Sequence, residues 1–235
     1  GVKMHSGVFA AKPSLAGRLL LQWIRGELRG TVAMEVMDID EALYRQEIVA
    51  PRLYGYLEVP YDTRVLRGKK SRSLPSEGAD QQSIAWEIVD NMEPDVLYLV
   101  GPGSTTAQIA KTLGVPGTLI GFDAVINKAL VANDLGERDI LALLTQYPPE
   151  KVRLILTPVG GQGILLGRGN QQASPQVLRQ IPRENIIIAA TKNKFAALGG
   201  SPLLVDTGDE ALNTALSGYY RMITGYREYM LYKVV

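Results

Sequence analysis

The sequence predicts an α/β protein: a parallel sheet with helices on both faces, plus a smaller β-rich part formed by the N-terminal third and the C-terminal tail. Three observations carry this expectation. From about residue 80 onward, short apolar runs at 96–100, 152–156 and 186–190 alternate with stretches of helical spacing, as expected for strands covered on both faces. Glycine-rich turns follow several of these runs. Residues 31–60 and 219–235 instead show the two-residue alternation and aromatic content of more exposed strands.

Taken in order, Pro13, Leu15, Leu19, Leu20, Trp23 and Ile24 follow helical spacing with proline in the first turn, which predicts a helix over 13–25. Val32, Met34 and Val36, then Leu53, Tyr54, Tyr56, Leu57 and Val59, predict strands between 31 and 60. Residues 62–80 are rich in Arg, Lys, Ser, Gly and Pro without apolar periodicity, so a linker or mobile loop is expected there. This places a β-rich part at 1–75 together with 215–235, and an α/β segment at 76–214. Within that segment the expected order is a helix near 80–92, a strand at 96–100, a helix ending near Gly114, a strand at 118–121, a helix near 136–147 and a strand at 152–156. A glycine-rich loop over 160–170, a helix opened by Ser174 and Pro175, a strand at 186–190, a strand near 203–206 and a helix from Glu210 follow. Aromatic strands from Tyr219 to Val235 would return to the sheet of residues 31–60.

Composition narrows the chemistry. Lysine plus arginine exceed the acids by one, 25 to 24, so no basic footprint for nucleic acid is present. No apolar run approaches the roughly 18 residues that cross a bilayer, and no membrane partner is expected. Cysteine is absent and His5 is the one histidine, which excludes disulfides, thiolate metal sites and a two-histidine zinc helix. The opening Gly1 to Gly7 reads as the middle of a loop, so residues upstream of Gly1 are expected in the natural protein.

The turn Gly101, Pro102, Gly103, Ser104, Thr105, Thr106 joins a predicted strand to a predicted helix. Free backbone N–H groups and the positive end of the helix dipole there suit an anion such as phosphate. The spacing is not that of a Walker loop, and a tight turn with an ordinary serine or threonine cap is the alternative. Five glycines between 160 and 169 let a backbone approach a ligand. Among the flanking residues Gly161 and Gly163 supply amides, Arg168 a phosphate fork, and Asn170, Gln171 and Gln172 amide side chains; a surface hairpin is the alternative. Asp206, Thr207 and Asp209 could accept from a ribose or hold Mg²⁺, although Asp209 is equally placed to cap the next helix. Asp38 and Asp40 would share one strand face as a metal or general-base pair, with an acidic turn as the plainer account. Asp123 offers the same two readings after the strand expected at 118–121. Lys192 and Lys194, after the strand expected at 186–190, could neutralise phosphate charge or form a solvated turn. Lys3 and His5 lie between the glycines of the opening loop, where exposed solvated residues are the plainer account.

Together the opening loop, the segment 35–41 around Asp38 and Asp40, the Gly101–Thr106 turn, residues 157–172 and residues 205–209 resemble the ATP–NAD kinase-like family, nearest its prokaryotic branch that includes the acetoin-catabolism protein AcoX. The resemblance implies a cytoplasmic protein that binds ATP and NAD with Mg²⁺ and phosphorylates the adenosine ribose of NAD. It implies cofactor contacts at Gly101, Gly103, Ser104, Thr105, Thr106, Gly161, Gly163, Arg168, Asn170, Gln171, Asp206, Thr207, Asp209, Lys3 and His5, and metal contacts at Asp38 and Asp40. The family's Gly-Gly-Asp-Gly-Thr motif, whose aspartate activates the ribose hydroxyl, does not occur in these 235 residues and is expected upstream of Gly1, so the catalytic residue is unassigned. A homo-oligomer is expected. Two other readings stay open: a non-catalytic nucleotide or NAD(H) sensor, and a sugar-phosphate enzyme, since the 101–106 turn also resembles loops of ribose-5-phosphate isomerase-like folds.

Overall fold

Strands that lack a polar face must be covered on both sides, and the apolar runs of the second half of the chain are. In the computed structural model, which describes residues 13–28, 30–46, 51–60, 77–159, 163–167 and 169–235, the chain forms two units, Gly1–Arg72 and Ser73–Val235.

The first unit contains α1 (Pro13–Ile24), β1 (Thr31–Ile39), α2 (Glu41–Arg45) and β2 (Pro51–Pro60). The strands pair antiparallel, from Thr31 opposite Pro60 to Ile39 opposite Pro51, with a bulge between Val36 and Met37. Gly55, opposite Val36, has φ +148°. The two-residue alternation of the sequence is therefore expressed as the expected strands. The expected linker lies mostly outside the described residues, and α3 begins at its far end.

The second unit runs α3 (Glu77–Asp90), β3 (Leu97–Val100), α4 (Ser104–Leu113), β4 (Phe122–Ile126), β5 (Ala129–Leu135), α5 (Glu137–Leu144), β6 (Val152–Leu156) and β7 (Ile164–Leu166). It continues with α6 (Pro175–Leu178), β8 (Ile186–Ile188), α7 (Lys192–Ala196), β9 (Leu204–Val205), α8 (Glu210–Leu216), β10 (Gly218–Gly225) and β11 (Glu228–Val234). A five-stranded sheet has the order β5-β4-β3-β6-β8. β3, β6 and β8 are parallel, as expected, β4 joins β3 antiparallel and β5 joins β4 antiparallel.

Alternation along the strands sorts the core into two layers. Tyr98, Val100, Val125, Ile155 and Ala189 pack with Ile84, Ala85 and Ile88 of α3 and Ile109 of α4. Leu97, Leu99, Phe122, Ala124, Leu154, Leu156 and Ile188 face the other way, onto Ile140 and Leu144 of α5 and Val177 and Leu178 of α6. Each wholly buried Leu or Ile contributes about 1.5–3 kcal/mol.

The structure departs from the sequence reading at three places. The strand expected at 118–121 is a bend, and the strand lies at β4, four residues later. The β4–β5 hairpin escaped notice because its turn residues are Asn127 (φ +51°) and Lys128 (φ +63°), without the glycine that usually marks such a turn. Asp95 compensates: its N–H donates to Asn127 Oδ1 at 2.8 Å, and Asn127 Nδ2 donates back to Asp95 Oδ1 at 3.0 Å. Residues 215–235, grouped from the sequence with the first 75, fall in the second unit. Backbone bonds hold them there: Ala190 N donates to Ile223 O at 3.0 Å and Val205 N to Val235 O at 2.8 Å. Among the described residues no helix is long and apolar enough to cross a membrane.

Candidate functional site

In a parallel sheet ligands collect beyond the carboxyl ends of the strands, and the ends of β3, β6 and β8 lie side by side. β3 leads into the Gly101–Thr106 turn. Gly101 N donates to Ile155 O at 2.9 Å, which carries the β3–β6 ladder one residue past the strand. A Cβ at Gly101 would stand 3.0 Å from that same oxygen and 3.1 Å from Phe122 Cε1. Gly103 has φ +131° and ψ 156°, a region that is essentially glycine's alone, and a Cβ there would lie 2.4 Å from Thr157 Cγ2.

α4 begins at Ser104 with no side-chain cap on its first amides. Such an end presents unmet N–H groups and a partial positive charge. The three hydroxyls do not replace a cap. Thr106 Oγ1 donates to Gly103 O at 2.9 Å, and Ser104 Oγ accepts from Gln81 Nε2 at 3.2 Å. Thr105 is wholly buried, and its Oγ1 has no hydrogen-bond partner among the described residues.

Neighbouring strand ends add further groups. Thr157, buried just after β6, accepts from Lys194 Nζ at 2.8 Å, and Lys194 also reaches Pro158 O at 3.4 Å. Thr191, just after β8, donates to Glu77 Oε1 at 3.2 Å, and both side chains are buried. Its hydroxyl also caps α7 by accepting from Lys194 N at 3.4 Å. Amides, hydroxyls and an ammonium thus gather at one edge, a set suited to binding an anion and orienting it.

Of the residues singled out from sequence, Gly101, Gly103, Ser104, Thr105 and Thr106 form this edge. Lys3, His5, Gly161 and Arg168 lie outside the described residues. Gly163 closes a turn: its N–H donates to Val159 O at 3.0 Å, and its carbonyl accepts from Leu204 N at 2.7 Å. Asn170 is buried and braces its own loop, with Nδ2 donating to Leu165 O at 2.7 Å and Oδ1 accepting from Gly167 N at 2.9 Å. Gln171 is exposed, and Gln172 Nε2 reaches Ile120 O at 3.4 Å.

The Asp206–Asp209 segment reads as helix-capping chemistry. Asp206 N donates to Leu166 O at 3.0 Å, and Thr207 Oγ1 donates to Asn213 Oδ1 at 2.7 Å. Asp209 Oδ1 accepts from Leu212 N at 2.9 Å, and its other oxygen pairs with Arg179. The Leu212 amide, followed by Arg179, holds the Asp209 carboxyl below its ordinary value. With the folded pKa depressed, its contribution to stability is present above the unfolded carboxylate range and is lost as pH falls through the folded value. Asp209→Ala is expected to lower the Tm slightly at pH 7 and by a smaller amount in acid, as read by thermal denaturation at both pH values.

Asp38 and Asp40 do not share a strand face, because β1 ends at Ile39. Asp40 Oδ1 accepts from Ala42 N at 2.9 Å and Leu43 N at 3.2 Å, so it caps α2. Asp38 Oδ1 accepts from Ile39 N at 2.9 Å. Among the described residues no group of three or more His, Cys, Asp or Glu could hold a metal. Asp123, buried in β4, is structural: it accepts from Thr118 N at 2.7 Å, Thr118 Oγ1 at 2.8 Å and Asp134 N at 3.2 Å. Asp123→Leu would strand these donors, and the expected loss is about 2–4 kcal/mol in urea unfolding.

Sequence reasoning missed Glu77, Gln81 and Thr191. Glu77 and Gln81 sat inside or beside the stretch read as linker. Thr191 carried one usable signal, a hydroxyl residue just after an apolar run and just before a short helix.

With this geometry in hand, comparison with known proteins finds a match between residues 93–234, more than half of the chain, and the family described as ATP-NAD kinase C-terminal domain. No curated protein and no solved structure matches the chain.

Proposed function

We propose, from the premise that this chain belongs to the ATP-NAD kinase C-terminal domain family, that its nucleotide-binding function serves transfer of the γ-phosphoryl group of ATP to the adenosine ribose of NAD. The P–O bond to ADP breaks, a P–O bond to the ribose hydroxyl forms, and the hydroxyl proton leaves, giving NADP and ADP. The observation that carries the reading is the uncapped amino end of α4 behind Gly103, set at the carboxyl edge of three parallel strands.

Phosphoryl transfer demands positioning and charge neutralisation more than covalent participation. In this reading the Gly103–Thr106 turn seats a phosphate on backbone amides, and Glu77, Gln81 and Thr191 hold the turn and the neighbouring strand ends in register. The resemblance implies that the aspartate of a Gly-Gly-Asp-Gly-Thr motif takes the ribose proton. Asp38 and Asp40 each accept from a local amide through Oδ1, and only the resemblance assigns them a metal. Mg²⁺ enters this reading only as the companion of the ATP phosphates, as is usual for phosphate-bound Mg²⁺.

Incubation of the full-length protein with ATP, Mg²⁺ and NAD is expected to yield NADP, read by an NADP-specific dehydrogenase. No NADP under any nucleotide donor overturns the kinase reading. A sensor reading is favoured by one feature: apart from Glu77, bonded to Thr191, the groups described at this edge are binding groups. ATP or NAD raising the Tm without turnover would select it, and a rise with pentose phosphates alone would select a sugar-phosphate ligand.

A further inference from the structure

We infer that Lys194, carried on α7 and steered by the Thr157 hydroxyl, is the cation that neutralises a phosphate group seated on the amino end of α4. This rests on the nucleotide-binding reading and names the residue that would distinguish phosphate from the rest of the ligand.

Thr157 is the joint between the two halves of the subsite. Its Cγ2 fills the space where a Cβ on Gly103 would stand, 2.4 Å away, so its methyl lies against the turn that opens α4. Its Oγ1 accepts from Lys194 Nζ at 2.8 Å. One side chain therefore touches both the peptide before the first amides of α4 and the ammonium group. Thr157 is buried, which fixes the ammonium relative to the turn.

A second, independent feature points to an anion at the same turn. Thr105 is wholly buried, and its Oγ1 lacks a hydrogen-bond partner among the described residues. A buried hydroxyl without a partner is uncommon and needs an explanation. The Cα–Cβ bond of a helical residue tilts toward the amino end, which sets the Thr105 side chain on the side of the uncapped amides. A phosphate oxygen there would supply the missing acceptor.

Lysine suits this position better than arginine, because its ammonium is a compact point charge that acts on a nearby oxyanion through its field. A purely structural Lys194 would matter for folding and not for phosphate.

The test uses the full-length protein and measures binding of pyrophosphate, ATP and adenosine by calorimetry at low and at physiological salt. For Lys194→Gln the expected result is a loss of about 10- to 100-fold in affinity for pyrophosphate and ATP, with a weaker salt dependence and unchanged adenosine binding. Lys194→Arg should recover part of the loss. Thr157→Val, which keeps the shape and removes the steering hydroxyl, should lose about 3- to 10-fold and serves if Lys194→Gln fails to fold. Wild-type affinity for pyrophosphate in both Lys194→Gln and Thr157→Val overturns the inference while leaving nucleotide binding intact. Lys194-dependent binding of pyrophosphate without any binding of ATP upholds the inference and overturns the nucleotide reading. If wild-type protein binds neither, both fall.

Discussion

Gly103→Ala is expected to destabilise the protein by about 2–4 kcal/mol and to abolish ligand binding at the α4 turn. Two effects add. The backbone at φ +131° and ψ 156° lies in a region that an L side chain reaches only with strain of roughly 1–3 kcal/mol. The new methyl would also stand 2.4 Å from Thr157 Cγ2, so either the turn or the threonine must move. Moving the turn displaces Gly103 N from Leu119 O, now 2.9 Å apart, and moving Thr157 withdraws the acceptor of Lys194. For a chain of this size the Tm should fall by roughly 5–15 °C. Gly114→Ala is the control. It too has positive φ, +71°, at the carboxyl end of α4, but a Cβ there meets nothing within 4 Å. Its effect should be confined to stability, measured as a Tm shift without a change in nucleotide affinity.

Glu87→Ala is expected to have a loss of similar size, by a different route. Glu87 is buried in α3 and is the acceptor that ties the β10–β11 hairpin to that helix. It accepts from Arg227 N at 2.8 Å, from Asn91 Nδ2 at 3.1 Å and from Tyr229 OH at close range. Ser83 Oγ accepts from Tyr226 N at 2.8 Å, and Asp90 Oδ2 from Tyr226 OH at 3.0 Å, on the same helix. Asn91, Arg227 and Tyr229 are exposed, so water can reach their donors once the carboxylate is gone, and a net loss of about 1–3 kcal/mol in urea unfolding is expected. Tyr229→Phe should lose less, since it removes one donor and leaves the carboxylate its others. The hydrogen bond to Glu87 raises the Tyr229 pKa above the ordinary tyrosine value. With the folded pKa raised, its contribution is intact below about pH 10 and is lost as pH rises through the folded value. Alkaline destabilisation should accordingly be shallower in Tyr229→Phe than in the parent, as read by Tm between pH 8 and 11. An equal slope in both would show that the Tyr229–Glu87 bond contributes nothing to holding the hairpin.

The parallel strands were readable because fully apolar runs of four or five residues have few other places to go in a soluble fold. The carboxyl end of α4 was readable because Gly114 is a chain-local stop signal, adopting the left-handed conformation that such stops require. The β4–β5 hairpin was not, since its turn depends on Asp95 holding Asn127 from 32 residues away. Glycine density at 160–169 suggests room for a ligand, and at one described position the close approach has another partner. A Cβ on Gly167 would stand 2.4 Å from Asp206 O, so there the approach is to the chain itself. Acidic residues were the least legible class. Asp40, Asp123 and Asp209 each offered two readings, and in each the carboxylate accepts from nearby backbone amides.

What the sequence by itself determined is the alternation of buried strands with helices and the Gly101–Ser104 turn, because periodicity and glycine conformation are properties of adjacent residues. Only the tertiary structure decided which side chains surround that turn. Lys194 meets Thr157 across 37 positions and Thr191 meets Glu77 across 114. Such pairs exist because sheet order sets β3, β6 and β8 side by side, and no local pattern records which strand ends become neighbours.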